Sequence, residues 1–287
     1  MSKTGGVLRV ASLTKLALTH IAIIVIGFAM LYPVLWLIMA SFKQGNQIFS
    51  DPSLLPKVWT VQNYVKGWEG IGIVPFRTFF VNSFIICIAC TVINACACSI
   101  TAYAFARLRF VGNKFWFAMM LMTMMLPGHV QTIPRYIIFR SFGWINNFYP
   151  FIVPSFFGGE AFFIFLMVQF IRSLPMDMDE SARMDGCNKF GIYLRIIMPL
   201  SIPPLITTLL FKFLWTWDDF FSQMLYLNSP EKYTVPMGLR LFLDSTGVSS
   251  WGPMFAMSVL SLLPCFILFF SLQKYFVQGI STTGIKG

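Results

Sequence analysis

Charged residues are scarce in this chain of 287 residues, and their scarcity excludes an ordinary soluble domain. Asp, Glu, Lys and Arg together make up 11% of the sequence, whereas soluble domains contain about 25%. Apolar residues supply 57% instead. Long apolar runs interrupted by so few charges are typical of a polytopic membrane protein.

Histidine is also rare, and the nucleotide-binding run G-x-x-x-x-G-K-[ST] is missing. The 2 histidines, His20 and His129, lie too far apart to propose a metal site. The sequence contains no H-E-x-x-H run and no nucleophile–base pair, so nothing in it indicates a membrane-embedded enzyme. We therefore predict no catalytic residue, no metal and no cofactor, and we expect any ATP hydrolysis to belong to a partner subunit.

The cysteines do not form a disulfide framework. Cys87 and Cys90 share one helical face and could in principle serve a metal or redox site, but Cys96 and Cys98 do not share a face. No His or carboxylate accompanies them. We interpret them, with Cys265, as small buried hydrophobic residues inside apolar runs.

The net charge of +10 could suggest nucleic acid, but Lys and Arg are scattered among the membrane segments. We interpret them as topology signals and predict no nucleic-acid partner. Residues 1–19 contain Lys3, Arg9 and Lys15 without any acid, which favours a cytoplasmic N-terminal segment.

Apolar runs of membrane-spanning length predict an all-α fold with six transmembrane helices inside a permease domain of residues 20–275. A polar loop at 173–200 and a tail at 276–287 complete the chain. Lys and Arg are denser in the segments that this arrangement places inside, which predicts that both termini are cytoplasmic. The predicted spans are 20–40, 78–104, 114–134, 147–171, 202–223 and 252–275.

The polar loop predicts a short helix of its own. Pro175 and the acidic residues after it suit a helix start, where the dipole favours negative charge. Asp179 and Arg183 are spaced to pair on one face. Ala182 and Gly186 share a second face, with Met178, and we expect Gly186 to adopt a positive φ.

The same loop resembles the EAA loop of binding-protein-dependent ABC importer permeases. Glu180-Ser181-Ala182, three residues, Gly186, nine residues, and Ile196-x-Met198-Pro199 follow that family's spacing. Ser181 and Met198 depart from its Ala and Leu but keep their size. The resemblance implies a cytoplasmic coupling helix that docks on an ATPase. The coupling residues that it implies are Glu180, Ser181, Ala182, Arg183, Asp185 and Gly186.

Further segments resemble the carbohydrate branch of these permeases, in particular the second, six-helix permease of a maltose-type importer. They are 102–110, 125–127, 133–136, 142–143, 215–220 and 279–287. Asp218 replaces that branch's usual Asn. The resemblance implies a bacterial or archaeal cell (inner) membrane, a sugar or oligosaccharide substrate, and three kinds of protein partner. These are a second, homologous permease, a dimer of ATP-hydrolysing subunits, and an extracytoplasmic solute-binding protein.

Polar groups inside the spans should avoid lipid and face a partner, another helix or a water-filled path. We predict that Asn82 and Glu160 line the solute pathway and that Trp217 stacks against sugar rings. Hydrogen bonding between helices is the alternative for each. Lys212 could pair with Asp218, Asp219 or a partner subunit.

Two other transport functions stay open at this stage. One is an ABC permease for a solute other than a sugar. The other is an ion-coupled secondary transporter, which would need acids within the membrane or a broken-helix repeat. Glu160 is the one acid well inside a predicted span, and no inverted repeat is evident, so the ABC permease is favoured.

Overall fold

The structure is a computed structural model that describes residues 4–45, 47–70, 72–158, 160–244 and 250–283. Within those ranges the backbone forms fourteen α-helices and no β-strand. The predicted all-α membrane fold is confirmed. The helices are α1 (Thr4–Ser41), α2 (Gln62–Glu69), α3 (Phe76–Arg107), α4 (Asn113–Met124), α5 (Thr132–Ser141), α6 (Tyr149–Ser155), α7 (Ala161–Ser173), α8 (Asp177–Met184), α9 (Lys189–Ile192), α10 (Met198–Leu200), α11 (Ile202–Trp217), α12 (Phe220–Tyr226), α13 (Val235–Asp244) and α14 (Trp251–Thr283).

Three helices of the described chain are long and apolar enough to cross a membrane, and two bent pairs raise the number to five if each pair is one span. The six spans therefore stay a prediction. Of the predicted tail, residues 284–287 lie outside the described part. The three long helices are Lys15–Ser41, Phe76–Arg107 and Trp251–Tyr275.

The predicted spans 114–134 and 147–171 are interrupted rather than continuous. In the first, α4 ends before Pro127, and a 3-10 turn over Gly128–Gln131 separates it from α5. In the second, α6 and α7 are separated by a turn in which Gly158 has φ 66°. Proline lacks an N–H group and glycine permits positive φ, which explains why the chain leaves the helix at these points.

The chain divides into two compact units, the first of which comprises residues up to Glu69 together with Phe242–Leu260. Lys43 in this unit is 1% exposed. Its Nζ donates to the carbonyls of Asp51 at 3.0 Å and Ser53 at 2.5 Å. Lys43 lies between the first two predicted spans, on the side predicted to be extracytoplasmic. Its ammonium group stabilises the turn after α1.

The second unit comprises Gly70–Leu241 and the chain from Ser261 onward, and α3 is its central helix. α3 packs against α6, α7 and α11. Most of its buried residues are apolar or small, and Cys87, Cys90 and Cys98 are among them. The larger polar residues that it buries are Asn82, Asn94, Tyr103 and Arg107. The described residues hold no cluster of side chains able to bind a metal ion. α3 thus forms the frame on which the other elements of this unit are placed.

Candidate functional site

The polar loop between α7 and α11 begins with α8, as the sequence predicts. Asp177, Asp179 and Glu180 occupy the first turn of this helix, just after Pro175. The unpaired N–H groups and the helix dipole favour carboxylates there. α8 is bent by 76° from α7, so it leaves the direction of the preceding span.

Gly186 ends α8 in a left-handed conformation with φ 85°. The Gly186 N–H donates to the Arg183 carbonyl at 3.0 Å, and the Cys187 N–H donates to the Ala182 carbonyl at 2.9 Å. These two bonds form a Schellman motif, in which the residue after the cap needs positive φ. The predicted conformation of Gly186 is confirmed.

α8 has one buried face and one exposed face. Ala182 is 6% exposed and belongs to the hydrophobic core that also contains Ile171, Ile192 and Tyr193. Met184 is 89% exposed. The remaining predicted coupling residues are all exposed: Glu180, Ser181, Arg183, Asp185 and Gly186. Ala182 therefore packs inside its own chain, whereas the other five predicted residues are accessible to a partner.

Asp179 pairs with Arg107 of α3, whereas the sequence predicts a pair with Arg183. The Asp179 Oδ2 lies 3.4 Å from the Arg107 Nε, and both side chains are at most 2% exposed. Residues four apart on one helix can meet. In this fold, however, the end of α3 lies against the buried face of α8 and supplies a cation there, while Arg183 stays on the exposed face.

The second arm of the loop starts at Asn188. Its side-chain oxygen accepts the Gly191 N–H at 2.7 Å and caps α9. The helix continues as a π-helical turn over Tyr193–Ile197 and then α10. A bend of 77° separates this arm from α11. Both arms of the loop thus join their membrane helices through sharp bends.

A cavity of about 600 Å³ lies elsewhere in the same unit, and we call it the aromatic cavity. Its lining comes from α5, α6, α11, α12 and the segments that connect them, including Glu160 just before α7. Two basic and two acidic side chains reach it, together with two serines. The lining includes Phe139, Phe142, Trp144, Phe151, Phe157, Tyr226, Arg135, Lys212, Glu160, Asp219, Ser155 and Ser222.

Lys212 and Glu160 form an ion pair at this cavity. The Lys212 Nζ lies 2.5 Å from the Glu160 Oε1, and the two side chains are 14% and 30% exposed. The second carboxylate oxygen of Glu160 is buried and has no hydrogen-bond partner among the described residues. Asp219, which the sequence offers as a partner of Lys212, instead accepts the Ser222 N–H at 3.0 Å and caps α12.

Comparison with known proteins identifies the family. Residues 96–282 match the family described as "Binding-protein-dependent transport system inner membrane component". The chain belongs to this family. The matched region includes α8, the bent arms of the polar loop and the aromatic cavity.

Relatives of this permease cover nearly all of its length. The "Probable ABC transporter permease protein YurM" of Bacillus subtilis (strain 168) is 33% identical over 260 residues, with 90% of this chain and 85% of that protein covered. The "Galactooligosaccharides transport system permease protein GanQ" of the same organism is 30% identical over 280 residues, covering 98% and 99%.

One solved structure supports the fold. A chain in the crystal structure of a bacterial ABC transporter involved in the import of the acidic polysaccharide alginate aligns with a TM-score of 0.79 at 22% identity. The alignment covers 96% of this chain and 99% of that one. At this identity the similarity establishes the shared fold of the permease.

Two predicted pathway residues have structural partners within the permease. The Asn82 amide donates to the carbonyls of Glu231 at 2.8 Å and Tyr233 at 2.9 Å. Trp217 is 3% exposed, and its indole N–H donates to the Ser261 carbonyl at 3.1 Å. The Trp217 contact matches the interhelical alternative, whereas Asn82 joins α3 to a 3-10 turn and the residue after it. Glu160 reaches the aromatic cavity, and the pathway roles of all three stay predictions.

The sequence reasoning missed Arg107 and the aromatic cavity. As one of the scattered basic residues, Arg107 indicates only topology in the sequence, although Ser99 and Tyr103 precede it at intervals of four residues. That spacing is a detectable polar stripe on one helical face. The cavity had no comparable signal, because its rings come from separate helices.

Proposed function

We propose that this permease imports a carbohydrate, which it receives from an extracytoplasmic binding protein and releases by alternating access. A second, homologous permease completes the pathway, and a dimer of partner subunits hydrolyses ATP. Relatives named for transport of galactooligosaccharides, arabinooligosaccharides and diacetylchitobiose support the substrate class. A partner ATPase is required because the sequence has no nucleotide-binding run of its own.

The main support for a role of α8 in coupling the ATPase to the permease is that α8 has one buried and one exposed face. Ala182 and Asp179 anchor the helix in the permease, while Glu180, Ser181 and Met184 stand exposed. An exposed methionine among polar residues supplies adaptable apolar contact to a partner. We place the ATPase on this face, with loop 173–200 and both chain termini in the cytoplasm.

The aromatic cavity is the best candidate for a solute site in this permease. Its volume lies within the range of about 300–1,000 Å³ that is usual for small-molecule pockets. Aromatic rings offer apolar faces for sugar rings, and the charged and hydroxyl groups offer hydrogen bonds to sugar hydroxyls. Two basic and two acidic side chains balance one another at the cavity, which favours an uncharged oligosaccharide.

Reconstitution of the whole importer in vesicles tests this function. The vesicles would contain this permease, its partner permease and the ATPase, with the binding protein outside. We expect uptake of a labelled neutral trisaccharide that requires internal ATP. Uptake of an amino acid or phosphate in its place would support the non-sugar alternative. Uptake driven by a proton gradient without ATP would overturn the proposal.

Two tryptophans provide a matched pair of variants for the cavity. Trp144 lines it, whereas Trp116 is 57% exposed on α4. Because an aromatic ring offers an apolar face to the C–H groups of a sugar ring, we expect Trp144→Ala to lower trisaccharide uptake at subsaturating concentration. We expect Trp116→Ala to leave uptake unchanged. Equal uptake by the two variants would remove the cavity from the pathway.

A further inference from the structure

Three side chains at the end of α3 each hold a different part of the polar loop. Ser99, Tyr103 and Arg107 lie four residues apart, and side chains at this spacing project from the same side of a helix. We call them the α3 stripe. Each member is buried, and each bonds to the loop, so the stripe runs along the loop's inner surface.

Arg107 holds the first arm of the polar loop, which consists of α8 and the segment just before it. Besides the ion pair with Asp179, its Nη2 donates to the Leu174 carbonyl at 2.8 Å. Its Nη1 contacts the Met176 sulfur. One guanidinium therefore touches the segment before α8 and the first turn of α8. A buried guanidinium needs an anionic partner, so few other arrangements of this arm preserve the pairing.

Tyr103 and Ser99 hold the second arm. The Tyr103 hydroxyl donates to the Lys189 carbonyl at 2.9 Å, and its ring lies 5.3 Å from the Tyr193 ring. The Ser99 hydroxyl donates to the Cys96 carbonyl at 2.9 Å. Because that bond uses its single proton, Ser99 accepts from the Tyr193 hydroxyl at 2.7 Å.

The covalent connections of the loop are poorly suited to transmit force. α8 joins α7 through a bend of 76°, and the second arm joins α11 through a bend of 77°. Bends between helices are positions where a chain can hinge. The stripe bypasses both bends, since it fastens both arms directly to α3.

We propose that Ser99, Tyr103 and Arg107 are positioning residues that couple α8 to α3, so that displacement of α8 by its bound ATPase moves α3. This inference rests on the proposed docking of the ATPase on α8. Without the stripe, the loop would move at its bends while α3 stayed in place. ATP would then be hydrolysed with little solute imported.

The decisive measurement is the number of ATP molecules hydrolysed per molecule of labelled trisaccharide imported by the complete vesicle system. We expect Arg107→Gln and Asp179→Asn each to raise this ratio by about tenfold, which is typical of coupling between two sites. The ATPase should still co-purify with both variants. Arg107→Lys, which keeps the charge but loses the fork of donors, should recover part of the coupling.

A double variant tests whether the two charges act together. If Arg107 and Asp179 act through each other, the combined Arg107→Gln and Asp179→Asn variant should be no worse than the worse single variant. Arg109→Gln is the matched control, because Arg109 is an exposed arginine two residues beyond the stripe. We expect it to keep the wild-type ratio.

The second arm provides a test that does not disturb a buried charge. Tyr103→Phe and Tyr193→Phe together remove both hydroxyls and keep both rings. We expect them also to raise the ratio, by a smaller factor than Arg107→Gln. If the arginine variants fail to assemble, the tyrosine variants test the proposal instead. An unchanged ratio of ATP hydrolysed to trisaccharide imported would overturn it and would mean that the stripe serves folding only.

Failure of the proposed function gives a different result. If the wild-type permease does not retain the ATPase, then docking on α8 is wrong. If the wild type couples normally and every stripe variant keeps its ratio, docking stands and the stripe proposal alone is wrong.

Discussion

The Lys212 ammonium group of α11 lies 2.5 Å from a carboxylate oxygen of Glu160, the residue immediately before α7. The pair joins two helices that both pack against α3. It also places two opposite charges at the aromatic cavity. Because each charge neutralises the other, the pair adds no net charge to the cavity.

Removing one partner of this pair should therefore cost more than removing both. We expect Glu160→Gln or Lys212→Gln to destabilise the detergent-solubilised permease by about 1–3 kcal/mol, since each leaves an unpaired charged or polar group. The double variant should be closer to wild type. Thermal denaturation, monitored by size-exclusion chromatography, measures the stability of the single and double variants. The exposed acid Glu69, changed to Gln, is the control. Additive losses would mean that the two charges act independently.

Ala182 should be critical for the permease itself rather than only for an ATPase socket. The family resemblance implies that Ala182 is a docking residue, but Ala182 is 6% exposed and lies in the core. We expect Ala182→Phe to overpack that core and to cost about 1–3 kcal/mol. Met184→Phe, at an exposed position of the same helix, should leave stability unchanged. Thermal melting of both variants without ATPase makes the comparison, and equal melting temperatures would contradict the burial argument.

Gly186 should tolerate few replacements because of its backbone and not because of crowding. Apart from the adjacent residues, no atom of the described chain lies within 4 Å of a Cβ placed at Gly186, but φ is 85°. Gly186→Val should introduce strain of about 1 kcal/mol or more and misdirect the end of α8. Gly186→Asn, which tolerates this conformation better, should be milder.

ATPase co-purification measures the effect of the Gly186 variants. Gly72 is the matched control, since it has φ 66° and equally open surroundings but lies far from the loop in sequence. Gly72→Val should retain the ATPase. If Gly186→Val also retains it fully, the Schellman cap is unimportant for docking.

The orientation of the chain can be tested by cysteine labelling in intact cells. The background must lack the 6 native cysteines, because Cys96 is exposed. We expect Asn188→Cys to react from the cytoplasm only and Lys57→Cys, at a side chain 73% exposed, from outside only. The sequence also predicts that Ser245 is outside; it lies beyond the described residues. Reversed labelling would invert the predicted topology.

Features with a short-range physical cause were predictable from the sequence. Apolar length and charge scarcity indicated a helical membrane protein. Acidic residues after Pro175 located the start of α8, and the glycine in the EAA-like spacing located its end. Each of these depends on groups within a few residues of one another, so a linear pattern records it.

Tertiary structure decided which partner each polar group found. A face predicted from helical spacing could not show whether Ala182 turned toward the core or toward an ATPase. Asp179 had Arg183 within reach on its own helix, yet it pairs with Arg107, 72 positions earlier. Lys212 likewise pairs with Glu160 on another element. Local spacing limits which side chains can meet along one helix, but burial makes an unpaired charge costly, and packing determines which opposite charge is buried beside it.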